Sequence, residues 1–112
     1  MGFILKEIIL FINDSNNVRI RIVVVGFTKQ IARELGPFNI TVNSVAPGLC
    51  LTNKASQAQW ESYTNEKQNN ILNSTAMKRL GNASDIANAV MFFASDMSGW
   101  CSGQVLEVNG GR

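Results

Sequence analysis

The seven residues ITVNSVA, 40–46, constrain this chain more than any other stretch. They are rich in β-branched residues and nearly all apolar, with no alternation that would turn one face to water. Such a run suits a strand buried on both faces of a parallel sheet. Gly36-Pro37 stands before it and Pro47-Gly48 directly after it, so both ends are marked. Parallel neighbours need a crossover rather than a hairpin, and the flanking sequence has the length for one.

Upstream, Phe27, Ile31 and Leu35 recur every four residues while Lys29, Arg33 and Glu34 take other faces, the pattern of an amphipathic helix. Gly36 is expected to supply a left-handed cap, and Pro37 cannot continue the ladder. Downstream, residues 49–78 are polar and rich in Asn and Gln around Trp60 and Tyr63. That is long for a bare loop, so one or two short helices of a lid are expected. Ser84 is then expected to N-cap a helix over IANAVMFFASD, with Ile86, Val90, Phe93 and Ala94 as its stripe and Asp85 at its positive end. Gly103 introduces QVLEVNGG, a last strand closed by two glycines. The order helix, strand, lid, helix, strand predicts an α/β fold with two parallel strands, two main helices and a helical lid.

Composition narrows the function. The chain has 112 residues, 46% apolar and 16% charged, with a formal net charge of +2, which suits one globular domain and not a polyanion binder. Its ten basic residues are scattered without interleaved aromatics, so no nucleic-acid partner is expected. Histidine is absent, which removes imidazole bases and His-ligated zinc. Cys50 and Cys101 are too few for a structural zinc site and read as two free thiols, so no metal is expected. The apolar run GFILKEIILFI is broken by Lys6 and Glu7, is shorter than the roughly 20 residues that cross a bilayer, and lacks a cleavage site. A cytoplasmic chain with no membrane partner is the expectation.

Four blocks, GFTKQIARELGPFNITVNSVAPG, LT after Leu49-Cys50, MKRLGNASDIANAVMFFASD and SGQVLEVNGG, resemble in order and spacing the C-terminal half of the short-chain dehydrogenase/reductase family, above all 3-oxoacyl-acyl-carrier-protein reductases. The resemblance implies the C-terminal part of a Rossmann-like doubly wound parallel sheet, incomplete here. Residues 23–112 carry it, and 1–22 read as a divergent segment, foreign to the ancestral fold. It also implies NAD or NADP as cofactor and alcohol or ketone substrates. Pro47 and Gly48 would run beside the nicotinamide, and Thr52 would bond its carboxamide. A glycine at the carboxyl end of a parallel strand lets backbone approach a flat ring. Pro-Gly followed by Thr is also an ordinary strand exit.

The family's chemistry needs a Tyr-x-x-x-Lys pair, in which Tyr moves a proton and Lys lowers the phenol's pKa and holds the nicotinamide ribose. Counting back from Gly26 in the family's register puts Asn17 and Arg21 at those positions. Asn17 has no proton to give, and Arg21 does not titrate. Here VRIRIVVV alternates and branches at Cβ like a strand, where the resemblance demands a helix. No Gly-rich phosphate turn of the dinucleotide type occurs. The resemblance thus implies a truncated relative with no catalytic residues, and doubtful cofactor binding by this chain alone. In the family, helix 21–36 and the last strand with its preceding helix form subunit interfaces. A homo-oligomer, or a hetero-oligomer with a full-length relative, is therefore expected. The alternative role is a non-catalytic oligomerisation or regulatory module.

Overall fold

Five consecutive residues, Val42 to Ala46, are buried in the strand β2 (Thr41–Pro47), and everything else is arranged around them. The structure is a computed structural model that describes residues 6–12 and 17–112; residues 2–5 of the apolar N-terminal run lie outside them. In chain order the remaining elements are β1 (Glu7–Phe11), α1 (Val18–Leu35), β3 (Cys50–Leu51), α2 (Lys54–Ser62), α3 (Asn65–Ser74), β4 (Gly81–Asn82), α4 (Ala83–Ala94) and β5 (Val105–Val108). Short 3-10 turns follow α1 and α4.

The main sheet has the order β1-β2-β5 and is parallel throughout, with Ile9 opposite Asn43 on one side and Val45 opposite Leu106 on the other. Helix α1 packs on one face of β2 and α4 on the other. On the α4 side Val45, Ala89 and Phe93 form the buried core, with Ile9, Ile86, Val90 and Val108 packed around it. Between β2, α1 and the turn before β5 the polar residues Thr28, Asn43 and Ser44 are enclosed as well, and each is satisfied. The Thr28 and Ser44 hydroxyls bond each other at 2.6 Å between α1 and β2. Asn43 donates to the Cys101 carbonyl at 3.0 Å and accepts from the Gln104 N–H at 3.1 Å. The lid is α2 and α3, anchored at its base by the two-residue ribbon β3-β4.

The expected α/β pattern and helical lid are present, with five differences of detail. A third parallel strand, β1, lies within the segment 1–22; its short run EIILF gave no periodicity long enough to place it. Helix α1 begins at Val18 and takes in the run VRIRIVVV that alternates like a strand, because the Asn17 side chain accepts from the Arg19 and Ile20 N–H groups and caps the first turn. Its β-branched run costs only tenths of a kcal/mol per residue against better helix formers, about 0.7 at most. Phe27 sits off the buried face at 55% exposure, while Thr28 and Ala32 face the sheet. At the other end Gly36 is right-handed and the left-handed residue is Asn39, φ 59°, because the Pro37 turn carries the chain on for three residues first. Finally, Asn82, not Ser84, caps α4, in a reciprocal box with Asp85.

The radius of gyration is 16.2 Å, against about 13 Å for a compact chain of this length, so the chain is more extended than a compact domain of its size. Among the described residues no helix is long and apolar enough to cross a membrane. With so small a core, Phe93, 3% exposed and in contact with Phe92, should dominate stability. Phe93→Ala is expected to cost about 3–5 kcal/mol, read as a fall in the urea midpoint with an unchanged slope. A shift under about 1 kcal/mol would show that α4 is not docked on the sheet as described.

Candidate functional site

Open α/β sheets bind ligands at the carboxyl ends of their strands, and in this chain that edge is where β2, β5 and the lid ribbon meet. Pro47 closes β2 opposite Val108 of β5. The Gly48 N–H then donates to the Val108 carbonyl at 2.9 Å. A Cβ on Gly48 would come within 2.7 Å of the Asn109 Cβ, so glycine is required there by the exit of β5 itself. Beyond it, β3 runs beside β4, and the Thr52 N–H donates to the Ser56 hydroxyl at 3.0 Å. Ser56 also closes the capping box of α2 with Asn53. Thr52 is exposed.

A cleft of about 420 Å³ lies next to these residues. Its walls include Leu49 and Cys50 of the ribbon, Thr75, Arg79 and Asp85, and the β5 exit from Glu107 to Arg112. Gly110 shapes the floor: its φ is +65°, its carbonyl accepts from the Met77 N–H at 3.0 Å, and a Cβ would press on Thr75 at 2.9 Å. Arg79 grips the Asp85 carboxylate through both terminal nitrogens, at 2.8 and 3.3 Å. That bond, and next the Asn82 N–H, holds the Asp85 carboxyl below the usual range. Burial, and then the charge of Asp85, push the Cys50 thiol up. Among the described residues no cluster of Cys, Asp or Glu could hold a metal ion.

Of the three positions expected at a nicotinamide, Pro47 and Gly48 share the strand end, while Thr52 lies beyond the ribbon; none of the three lines the cleft. The backbone N–H groups of Gly48 and Thr52 are bonded within the chain, to the Val108 carbonyl and the Ser56 hydroxyl. At the positions of the Tyr and Lys, Asn17 is spent on capping α1, and Arg21 is ion-paired with Glu107 of β5. Asn17 and Arg21 therefore supply neither the proton donor nor the ammonium that the family's hydride chemistry needs.

One feature escaped the reading of the sequence. Tyr63 and Lys67 have the spacing Tyr-x-x-x-Lys, but in the lid. Tyr63 ends α2, and the Lys67 ammonium lies 3.9 Å from the centre of its ring, with Trp60 edge-on at 6.1 Å. A cation over the ring face is a packing contact, aimed away from the phenol oxygen whose proton catalysis would need. The spacing was visible in the sequence; only the structure shows that the geometry is wrong.

Comparison with known proteins places this arrangement. A family model described as enoyl-(acyl carrier protein) reductase matches residues 17–112. The 3-oxoacyl-[acyl-carrier-protein] reductase of Haemophilus influenzae is 47% identical over 88 residues, covering 79% of this chain and 34% of the relative. The chain thus spans about a third of the length of such curated relatives. Among solved structures, the 3-oxoacyl-[acyl-carrier protein] reductase of Brucella melitensis superposes with a TM-score of 0.79 at 26% identity, covering 94% of this chain and 41% of that one. A 4-hydroxyisoleucine dehydrogenase complexed with NADH gives 0.80 at 24% identity, with 94% and 46% covered, and speaks for the fold alone.

The Arg79–Asp85 pair yields a signed prediction. The folded carboxyl pKa is depressed, so its stabilisation is fully present above the unfolded value of about 3.9 and is lost as pH falls through the folded value. Asp85→Asn should lower Tm at pH 7, with the gap to the parent closing on titration below about pH 4. A gap that stays constant into acid would show that the charge of Asp85 does not stabilise the fold.

Proposed function

Because this chain belongs to the short-chain dehydrogenase/reductase family, we propose that its 112 residues form the C-terminal part of an NAD(P)-dependent oxidoreductase scaffold for alcohol or ketone substrates, and that they are inactive alone. One observation carries the reading: the two positions where the family keeps its proton donor and ammonium hold Asn17, which caps α1, and Arg21, which is ion-paired with Glu107. An amide cannot exchange the proton that reduction of a carbonyl requires, and a guanidinium cannot tune it. Pro47, Gly48 and Thr52 are then what is left of one wall of a nicotinamide site. Cofactor choice, NAD or NADP, rests on the family alone; the Haemophilus relative's name points to acyl-carrier-protein thioesters as one substrate class, and the NADH complex to one cofactor. Two free thiols, Cys50 and Cys101, suit a reducing compartment, and we place the chain in the cytoplasm.

A second reading, a non-catalytic oligomerisation or regulatory module, is favoured by apolar side chains left in the open. Val18, Ile22, Val23 and Phe27 of α1 are each more than half exposed, and Met97 and Trp100 after α4 are at 81% and 101%. These two surfaces would seat either another copy or a full-length relative, consistent with what exposed apolar patches signify.

Titrating the purified chain with NADH or NADPH should give no change in nucleotide fluorescence, and assays with ketone substrates no turnover above a mock preparation. Tight nucleotide binding, or turnover that tracks with the protein through purification, would overturn the inactive reading. Co-expression with a tagged full-length relative separates the two roles. Recovery in a mixed oligomer supports the module, and recovery of the relative alone supports an inert scaffold.

A further inference from the structure

Lys29 and Arg33 stand one helical turn apart on α1 and, with Ala32, Ser102 and Gly103, line a cleft of about 280 Å³ against the turn that leads into β5. Its floor is fixed by the backbone. Gly103 is buried with φ +74°, its N–H donates to the Val42 carbonyl at 2.6 Å, and a Cβ there would meet Ala32 at 3.5 Å. The Lys29 ammonium is drawn to the cleft by the Gly103 carbonyl, to which it donates at 3.2 Å, and keeps two further N–H groups. The Ser102 hydroxyl accepts from the Val42 N–H at 3.1 Å, which leaves its own proton to give. Arg33 is in neither ion pair of the described residues. Its neighbour Glu34 accepts from Gln30 instead, at 3.1 Å, and no carboxylate is among the cleft's described walls. Like charges at this spacing destabilise a helix. The helix dipole accounts for Arg33, in the last turn, but not for a second cation placed beside it.

We propose that this cleft binds a small phosphate monoester, held by the Lys29 ammonium, the Arg33 guanidinium and the Ser102 hydroxyl. Charge selects the ligand. A phosphate monoester carries about −1.5 to −2 at neutral pH and three acceptor oxygens, which match two cations and one hydroxyl. A carboxylate brings a single charge and leaves one cation unbalanced. The guanidinium fork suits two phosphate oxygens, while the ammonium acts as a point charge on the third. Size sets the rest of the ligand, since the cleft falls below the roughly 300–1,000 Å³ of sites that enclose drug-sized molecules. It has room for a phosphate with a short organic group and not for a dinucleotide. This site lies at the amino end of β5, whereas Pro47, Gly48 and Val108 meet at the carboxyl ends of the strands. The proposal therefore goes beyond the oxidoreductase reading and does not rest on it.

The test titrates the whole 112-residue chain, labelled with nitrogen-15, with glycerol 3-phosphate at constant ionic strength, and with acetate in a parallel arm. Saturable amide shifts centred on Ser102, Gly103 and the last turns of α1 are expected with the phosphate ester and not with acetate. Lys29→Gln and Arg33→Gln should each raise the apparent Kd about fivefold. Lys54→Gln removes an equally exposed charge from the lid and should leave it unchanged. All three side chains are exposed, so the variants are expected to keep the parent's dispersed spectrum. No saturable shift, an equal response to acetate, or a loss of affinity shared by Lys54→Gln would each overturn the proposal. None of these readouts depends on NADH or NADPH, so failure here and failure of the inactive reading remain distinct.

Discussion

Four elements of this protein are attached to β2. One edge of the strand carries β1 and the other β5, one face carries α1 and the other α4. A strand so enclosed leaves no backbone or side-chain polar group access to water, so each must find a partner inside. The sequence meets this demand with three small polar side chains. Ser44 is paired with Thr28 across to α1, and Asn43 holds the turn before β5 through both ends of its amide. Among the described residues no buried polar side-chain atom lacks a partner. The polar letters inside ITVNSVA are therefore the bolts between layers, and a purely apolar strand would leave the 101–104 turn without its anchor.

This explains which parts of the fold were legible. β2 could be read because its burial on both faces writes itself as an unbroken run, and α4 because a buried stripe repeats at helical spacing. β1 was not, because five residues with a charge at one end are equally a strand, a frayed terminus or part of a helix until a partner fixes them. Its partner, β2, lies about thirty residues away, at Thr41 to Val45. The start of α1 misled for the opposite reason. VRIRIVVV alternates like a strand, yet the local bonds from Asn17 and the packing of Thr28 and Ala32 on β2 set the conformation, and propensity is the weaker term. The caps moved by two or three residues for local reasons. Asn82 and Asp85 satisfy each other's backbone donors, which Ser84 in the same turn could not do.

At the candidate site, the positions were legible and their state was not. Pro47 and Gly48 end β2 as expected, but the glycine is already explained by the close passage of Asn109. The amides of Gly48 and Thr52 are taken up by Val108 and Ser56, and such occupancy has no trace in the sequence. The Tyr63–Lys67 pair makes the complementary point. A motif's spacing can be reproduced where neither helix nor sheet edge gives the residues their roles, because chemistry depends on where the ammonium points.

Arg21 ties these threads together. Its guanidinium reaches Glu107 near the end of β5, so the first turns of α1 are tethered to a strand two positions across the sheet from β1. Both side chains are substantially exposed, at 46% and 33%, and an exposed pair of this kind contributes about 0–1 kcal/mol. The pair is therefore too weak to hold α1 in place; the Thr28–Ser44 bond and the Ala32 contact do that. What the ion pair decides is orientation. It draws the Arg21 guanidinium onto β5, and Asn17 commits its side chain to the helix end. The same edge that in an open α/β sheet would receive a ligand is in this chain bound to itself, and its remaining free valences lie instead along β1 and the apolar flanks of α1.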